Sequence, residues 1–151
     1  MIIKILTLFP KMFDGCFSNS IILRAIDKGL VKIELIDIRK YTEDSYGRVD
    51  SAPVGGGAGL VMKCQPIIDC LEANKNEKSH TIMLSPRGKT YEQADAHRLA
   101  NMGEIILLCG HYEGIDERVN NISTSKSRLA TILLLVGKLA LWLLLIPSLD
   151  Y

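Results

Sequence analysis

The sequence predicts an α/β fold with a mainly parallel sheet flanked by helices, and three observations carry that prediction. Short apolar runs at Ile2 to Leu8, Thr81 to Leu84 and Glu104 to Leu108 have the character of strands covered on both faces. Between them lie stretches whose apolar residues recur at helical spacing, so strand and helix alternate along the chain. Glycine-bearing motifs then follow two of the strands at their carboxyl ends, where ligands bind in such sheets.

Ile2 to Leu8 reads as the first strand, ended by Phe9-Pro10. Met12, Phe13, Phe17, Ile21, Ile22 and Ala25 then follow at roughly helical spacing, and Gly29 is a natural helix stop. Val31 to Ile38 sets Val31, Ile33 and Leu35 against Lys32 and Glu34, the period-two pattern of a strand with one exposed face. Arg39 to Ala58 is polar and glycine-rich, a loop long enough either to carry function or to be disordered. A helix is expected after Pro66, carrying Ile67, Ile68 and Leu71. Thr81 to Leu84 is expected as a short strand ended by Ser85-Pro86-Arg87-Gly88, and Glu92 to Met102 as a helix leading into the Glu104 to Leu108 strand.

At 151 residues and 48% hydrophobic content, the chain is the size of one domain with enough apolar surface for a core. A net charge of +1 and a pI near 7.7 neither support nor exclude RNA, because a binding face needs clustered charge rather than a net excess. Cys16, Cys64, Cys70 and Cys109 form no C-x-x-C pair and have no histidine at zinc spacing. They read as reduced, mostly buried thiols of a cytoplasmic protein, and no metal is expected. The MIIKILTLFP start is broken early by Lys4 and is too short for a signal segment.

The densest motif is CGHYEGIDERV, Cys109 to Val119, which packs Tyr, His, two glycines and several charged residues into one loop. It can be a ligand loop or a helix-capping loop. LSPRG, Leu84 to Gly88, can be a second ligand loop or a plain turn, since Ser, Pro and Gly are what turns select. Gly55, Gly56, Gly57, Ala58 and Gly59 can be a flexible linker, while Arg48 and Lys63 nearby leave room for phosphate contacts. His80 and His97 read as surface residues, and His111 as a solvent-facing loop residue or a ligand donor. Asp116, Glu117 and Arg118 can cap and pair across a helix start.

In order and spacing, FPKMF (Phe9 to Phe13), RAIDKGL (Arg24 to Leu30), GGGAGLVM (Gly55 to Met62), LSPRG and GHYEGIDERV resemble the bacterial tRNA (guanine-N1)-methyltransferases over residues 1 to about 120. The resemblance implies a deep trefoil-knot methyltransferase fold and a homodimer with sites at the subunit interface. It further implies methyl transfer from S-adenosylmethionine to N1 of guanosine 37 in tRNA, 3′ of the anticodon. Leu84, Ser85 and Pro86, with Gly110, Tyr112, Glu113 and Gly114, would then form two of three loops around the cofactor. Gly55, Gly56, Gly57 and Gly59 would lie near the target base. Backbone groups in a narrow apolar slot can hold an adenine, and glycine with proline permits that close approach. The transfer is an in-line displacement, but guanine N1 carries a proton whose removal calls for a base, in this family an Asp beyond Val119.

Beyond Asn121 the chain departs from the family, because the third cofactor loop and the catalytic Asp and Arg are not found, and no acidic residue occurs between Glu117 and Asp150. Leu129 to Ile146 is instead an 18-residue apolar stretch interrupted by Lys138. Read at face value it is a membrane anchor, although a central Lys costs roughly 2.5 to 3.5 kcal/mol. A one-base frameshift near Asn120 to Ile122 accounts for it better. Lys126 to Ile132, Leu135 to Lys138, and Leu145 to Pro147 can be encoded so that a neighbouring frame spells the missing family motifs in order. Residues 1–120 are therefore expected to be the N-terminal part of the methyltransferase domain and 121–151 an out-of-frame tail, with the family's C-terminal domain absent. On that expectation no catalytic residue is assigned and the chain lacks its base. The alternatives are a non-catalytic remnant that binds an adenosine ligand or RNA, and a membrane-anchored protein. Further departures flank the glycine run: Tyr46 stands where the family usually has His, Ser51 at a second Asp, Ala52 at a basic or polar residue, Val54 at Tyr and Leu60 at Met, while Leu23 replaces a common Gly.

Overall fold

The computed structural model describes residues 1–15, 17, 20–53, 55–90, 92–110, 114–115, 118–119 and 125–128. Its main sheet uses β1 (Ile2–Thr7), β2 (Lys32–Asp37), β5 (Ser79–Thr90), β6 (Glu104–Cys109) and β8 (Ser125–Arg128), in the order β2-β1-β6-β5-β8. Each neighbouring pair is parallel, as expected. A smaller sheet, β3-β4-β7, is built from β3 (Asp50–Ser51), β4 (Val61–Met62) and β7 (Gly114–Ile115). The helices are α1 (Ser20–Asp27), α2 (Cys64–Asn74) and α3 (Gln93–Ala100).

β6 is buried along its whole length because it lies mid-sheet and is covered on both faces. Successive side chains point to opposite faces, so one strand feeds two cores. Ile105, Leu107 and Cys109 join Ile3, Ile5, Ile82 and Leu84 beneath Ala25 of α1 and Leu99 of α3. Ile106 and Leu108 join Leu6, Met83 and, from α2, Ile67, Cys70 and Leu71 on the other side. Each such side chain contributes about 1.5–3 kcal/mol by leaving water. Helix on sheet on helix is the α/β arrangement the alternating runs predict.

Several boundaries differ from expectation for local reasons. The stretch from Met12 to Ala25 is not one helix: a 3₁₀ turn spans Pro10–Phe13, Gly15 at φ +78° departs from helical geometry, and α1 begins at Ser20. α2 starts at Cys64, two residues before Pro66, which is tolerated there because first-turn amides have no partner within the helix. Leu35 is partly exposed because β2 is the sheet edge. α3 is shorter than expected. Its entry is held by Asp95, whose Oδ2 accepts from the Glu92 backbone N–H at 3.0 Å, and whose carboxylate also meets Lys89 and Arg98. His80 is half-buried on β5 rather than a surface residue, and burial, then Arg98, pushes its pKa down. His97 is exposed.

β5 also differs. It does not end at Leu84 but continues to Thr90, and its pairing with β8 is interrupted. Leu84 and Lys89 both lie opposite Ser127, so Ser85 to Gly88 form a four-residue excursion between two pairings to one residue.

At the amino ends of the strands, side chains close the sheet. Lys4 Nζ lies 3.2 Å from Glu104 Oε1 and donates to the Asn74 carbonyl at 2.7 Å. Glu104 also accepts from Ser79 Oγ at 2.6 Å and from Asn76 Nδ2 at 2.9 Å. Burial pushes the Glu104 pKa up, but these hydrogen bonds and the Lys4 charge outweigh it and hold the carboxyl below its ordinary range.

The knot implied by the resemblance depends on segments outside the described residues, as does the apolar stretch 129–146. Among the described residues no helix is long and apolar enough to cross a membrane, and no cluster of His, Cys, Asp or Glu could hold a metal ion.

Candidate functional site

Parallel pairing brings all strand carboxyl ends to one edge, and register decides which loops meet there. Leu84 lies opposite Cys109, so LSPRG and CGHYEG leave adjacent strands at the same level. Leu84 and Cys109 are buried and Gly110 is half-buried. Ser85 and Pro86 begin the excursion that steps out of the β5–β8 ladder. His111, Tyr112 and Glu113 lie outside the described residues, as do Asp116 and Glu117. Gly114 then opens β7, so residues 110–113 connect the main sheet to the small one.

That small sheet brings the third motif in. Ser51, Val61 and Gly114 lie side by side across it, as do Asp50, Met62 and Ile115. At about 4.8 Å per strand, β3 runs roughly 10 Å from β7. Gly55, Gly56, Gly57 and Gly59 occupy the turn just before β4, exposed and at φ between +80° and +136°. No heavy atom lies within 4 Å of a Cβ built on Gly55 or Gly56, so these glycines serve the backbone conformation, not tight packing. Register thus sets LSPRG and CGHYEG side by side, and the glycine run leads into the strand that pairs with Gly114.

The ends of β1 and β2 look different, for each is closed by its own side chain. Thr7 Oγ1 accepts from the Phe9 N–H at 3.2 Å and Asp37 Oδ1 from the Arg39 N–H at 2.9 Å. Arg39 then lies over the Phe9 ring at 5.9 Å and donates from Nη1 to the Gly47 carbonyl at 3.2 Å. The edge between β6 and β5 carries glycine and proline instead.

Sequence reasoning missed how firmly the loop after β2 is organised. Asp44 Oδ1 accepts from the Tyr46 N–H at 2.8 Å, and Oδ2 accepts from Arg48 Nε at 3.0 Å with Lys63 Nζ at 4.0 Å. The Tyr46 amide first, then Arg48 and Lys63, hold the Asp44 carboxyl below its ordinary range although partial burial opposes them. Gln65 Oε1 accepts from the Glu43 N–H at 3.3 Å, while Nε2 donates to the Tyr41 carbonyl at 2.7 Å. Arg48 and Lys63, read from sequence as available for phosphate, thus share one internal carboxylate. The spacing Asp44-x-Tyr46 is the available signal, since Asp accepts from the amide two residues on in an Asx-turn.

Chemically, this edge offers backbone donors and acceptors beside buried apolar side chains, a set suited to a neutral heterocycle. It offers no activated thiol: burial pushes Cys109 up to about 12, so it stays protonated at neutral pH. Cys70, on the buried face of α2, is likewise pushed up to about 12, by burial and then by Asp37.

A model of the family described as tRNA (Guanine-1)-methyltransferase TrmD matches residues 1–149. A tRNA (guanine-N(1)-)-methyltransferase of Clostridium novyi (strain NT) is 50% identical over 141 residues, which cover 93% of this chain and 58% of that protein. One from Shouchella clausii (strain KSM-K16) is 44% identical over 143 residues, 93% of this chain and 59% of that protein. One from Geobacter metallireducens is 52% identical over 120 residues, 78% of this chain and 49% of that protein. The chain thus spans between about half and three-fifths of the length of these relatives.

Proposed function

Because the chain belongs to the tRNA (guanine-1)-methyltransferase family, we propose that it carries the cofactor edge and part of the RNA face for methyl transfer from S-adenosylmethionine to N1 of guanosine 37 in tRNA. The observation that carries this reading is the register of Leu84 on Cys109, which sets the two family loops side by side at the carboxyl edge. Leu84, Ser85 and Pro86, and Gly110, Tyr112, Glu113 and Gly114 in the sequence that follows β6, would hold the adenosine. Their part is binding and exclusion of water by backbone groups. When bound, the cofactor supplies the electrophilic methyl group. Gly55, Gly56, Gly57 and Gly59, in the turn just before the strand that pairs with β7, would lie along the target base.

The proton on guanine N1 needs a base, and the sequence has no acidic residue between Glu117 and Asp150. That observation favours a second reading, a non-catalytic remnant that binds the adenosine ligand or RNA without completing transfer. The frameshift reading explains the same gap, with residues 1–120 in frame and 121–151 out of frame, although the family model's match runs on to residue 149. Reading the coding DNA across Val119 to Ser127 tests it, and a frame in which no single-base shift restores the family motif would sink it. The family setting supports a cytoplasmic homodimer, which light scattering of the purified chain tests.

Calorimetric titration with S-adenosylhomocysteine tests the cofactor edge, and transfer of labelled methyl to a tRNA transcript tests catalysis. Binding with transfer supports the enzyme; binding without transfer supports the remnant. Absence of binding overturns the enzyme and the adenosine-binding remnant.

A further inference from the structure

We infer that Tyr46 and Arg48 form a stacking platform for one unpaired nucleobase of the RNA, an inference that rests on the tRNA reading above and adds a site to it. Tyr46 is 84% exposed, the most exposed large apolar side chain among the described residues. Exposed rings are ordinarily mobile and costly, yet this one has its backbone held and one face covered. Its own N–H is held by Asp44 Oδ1, and the Arg48 guanidinium lies 5.4 Å from its ring centroid. Arg48 is itself oriented by Asp44 Oδ2, and its carbonyl accepts from Thr42 Oγ1 at 2.8 Å. The Gly47 N–H donates to the Asp44 carbonyl at 2.9 Å, which closes the turn beneath the pair.

Arg48 covers one face of the ring, and the exposure of Tyr46 leaves the other face to solvent. A flat π-surface with a cation behind it is what splayed-out bases stack on, and it accepts any base because every base has a π-face. Two further observations set the platform beside the proposed site. Lys63, whose Nζ faces Asp44, donates its backbone N–H to the Val49 carbonyl at 2.8 Å, tying the loop to β4. β4 in turn pairs with β7 at Gly114 and Ile115.

The test uses the full chain and an anticodon stem-loop RNA with 2-aminopurine substituted at one loop position at a time. The unsubstituted protein should bind the RNA and quench one position by stacking. Tyr46→Phe should keep affinity and quenching, because it keeps the ring. Tyr46→Leu and Tyr46→Ala should lose the quenching and weaken binding by about 5- to 100-fold. Unchanged affinity and quenching in Tyr46→Ala, with Tm unaltered, would overturn the platform and leave the tRNA reading standing. No RNA binding by the unsubstituted chain would overturn the tRNA reading, and the platform with it.

Discussion

The two ends of the main sheet solve the same problem in opposite ways. At the amino end, Lys4, Glu104, Ser79, Asn76 and the Asn74 carbonyl satisfy one another, so the polar groups there are spent internally. At the carboxyl end, between β5 and β6, the chain places Gly110 and the Ser85–Gly88 excursion instead of a side-chain network. An end closed by side chains contributes to stability and has little left to offer a ligand. An end finished in glycine and proline contributes little to stability and keeps backbone groups for something else. Affinity and stability should therefore separate between the two ends.

The largest effect is expected at the closed end. Glu104→Ala leaves the half-buried Lys4 ammonium without its carboxylate, and should lower unfolding free energy in urea by about 3 kcal/mol while S-adenosylhomocysteine affinity holds. A comparable loss of affinity would break the contrast. The same carboxylate gives it a pH signature. Because the Glu104 pKa is lowered on folding, its contribution is complete above the ordinary carboxylate value of about 4.3 and is lost as pH falls through the lower folded value. Thermal unfolding between pH 6 and pH 3 should fall less steeply in Glu104→Gln than in the parent chain.

At the open end, Gly110→Val puts a branched side chain where a ligand would meet backbone. It should weaken S-adenosylhomocysteine on the order of tenfold, ~1.4 kcal/mol, with a smaller change in Tm. The smallest effects come from a matched pair. Gly29, which ends α1 at φ +69°, and Gly56, at φ +80°, both have open space where a Cβ would go. Alanine at either should cost about 1 kcal/mol in backbone strain alone. Only Gly56→Ala should also weaken RNA in a filter-binding assay; equal effects on RNA would blur the contrast.

What the sequence disclosed depended on whether the cause was local. β6 was legible because a strand covered on both faces must be apolar throughout, and Glu104 to Leu108 nearly is. The end of α1 was legible at Gly29, whose N–H meets the Ile26 carbonyl at 2.9 Å in the expected cap. β3, β4 and β7 were not, since two-residue strands carry no period and exist through their partners. The continuation of β5 past Pro86 was hidden for the same reason, because Ser127 is distant in sequence. Within the site, the motifs named the loops, but only register showed that Leu84 and Cys109 are neighbours. Tyr46 drew notice as a departure from the family, whereas its setting against Arg48 depends on Asp44.

The double pairing at Ser127 has a consequence for how such a protein can change. Because Leu84 and Lys89 meet the same partner, the segment between them is tied off like a slipped stitch. Residues can be added or removed there without shifting a single rung of the ladder on either side. Among the described residues this is a place on the sheet where length can change without breaking the ladder, and it is where the outline of a small molecule would be drawn.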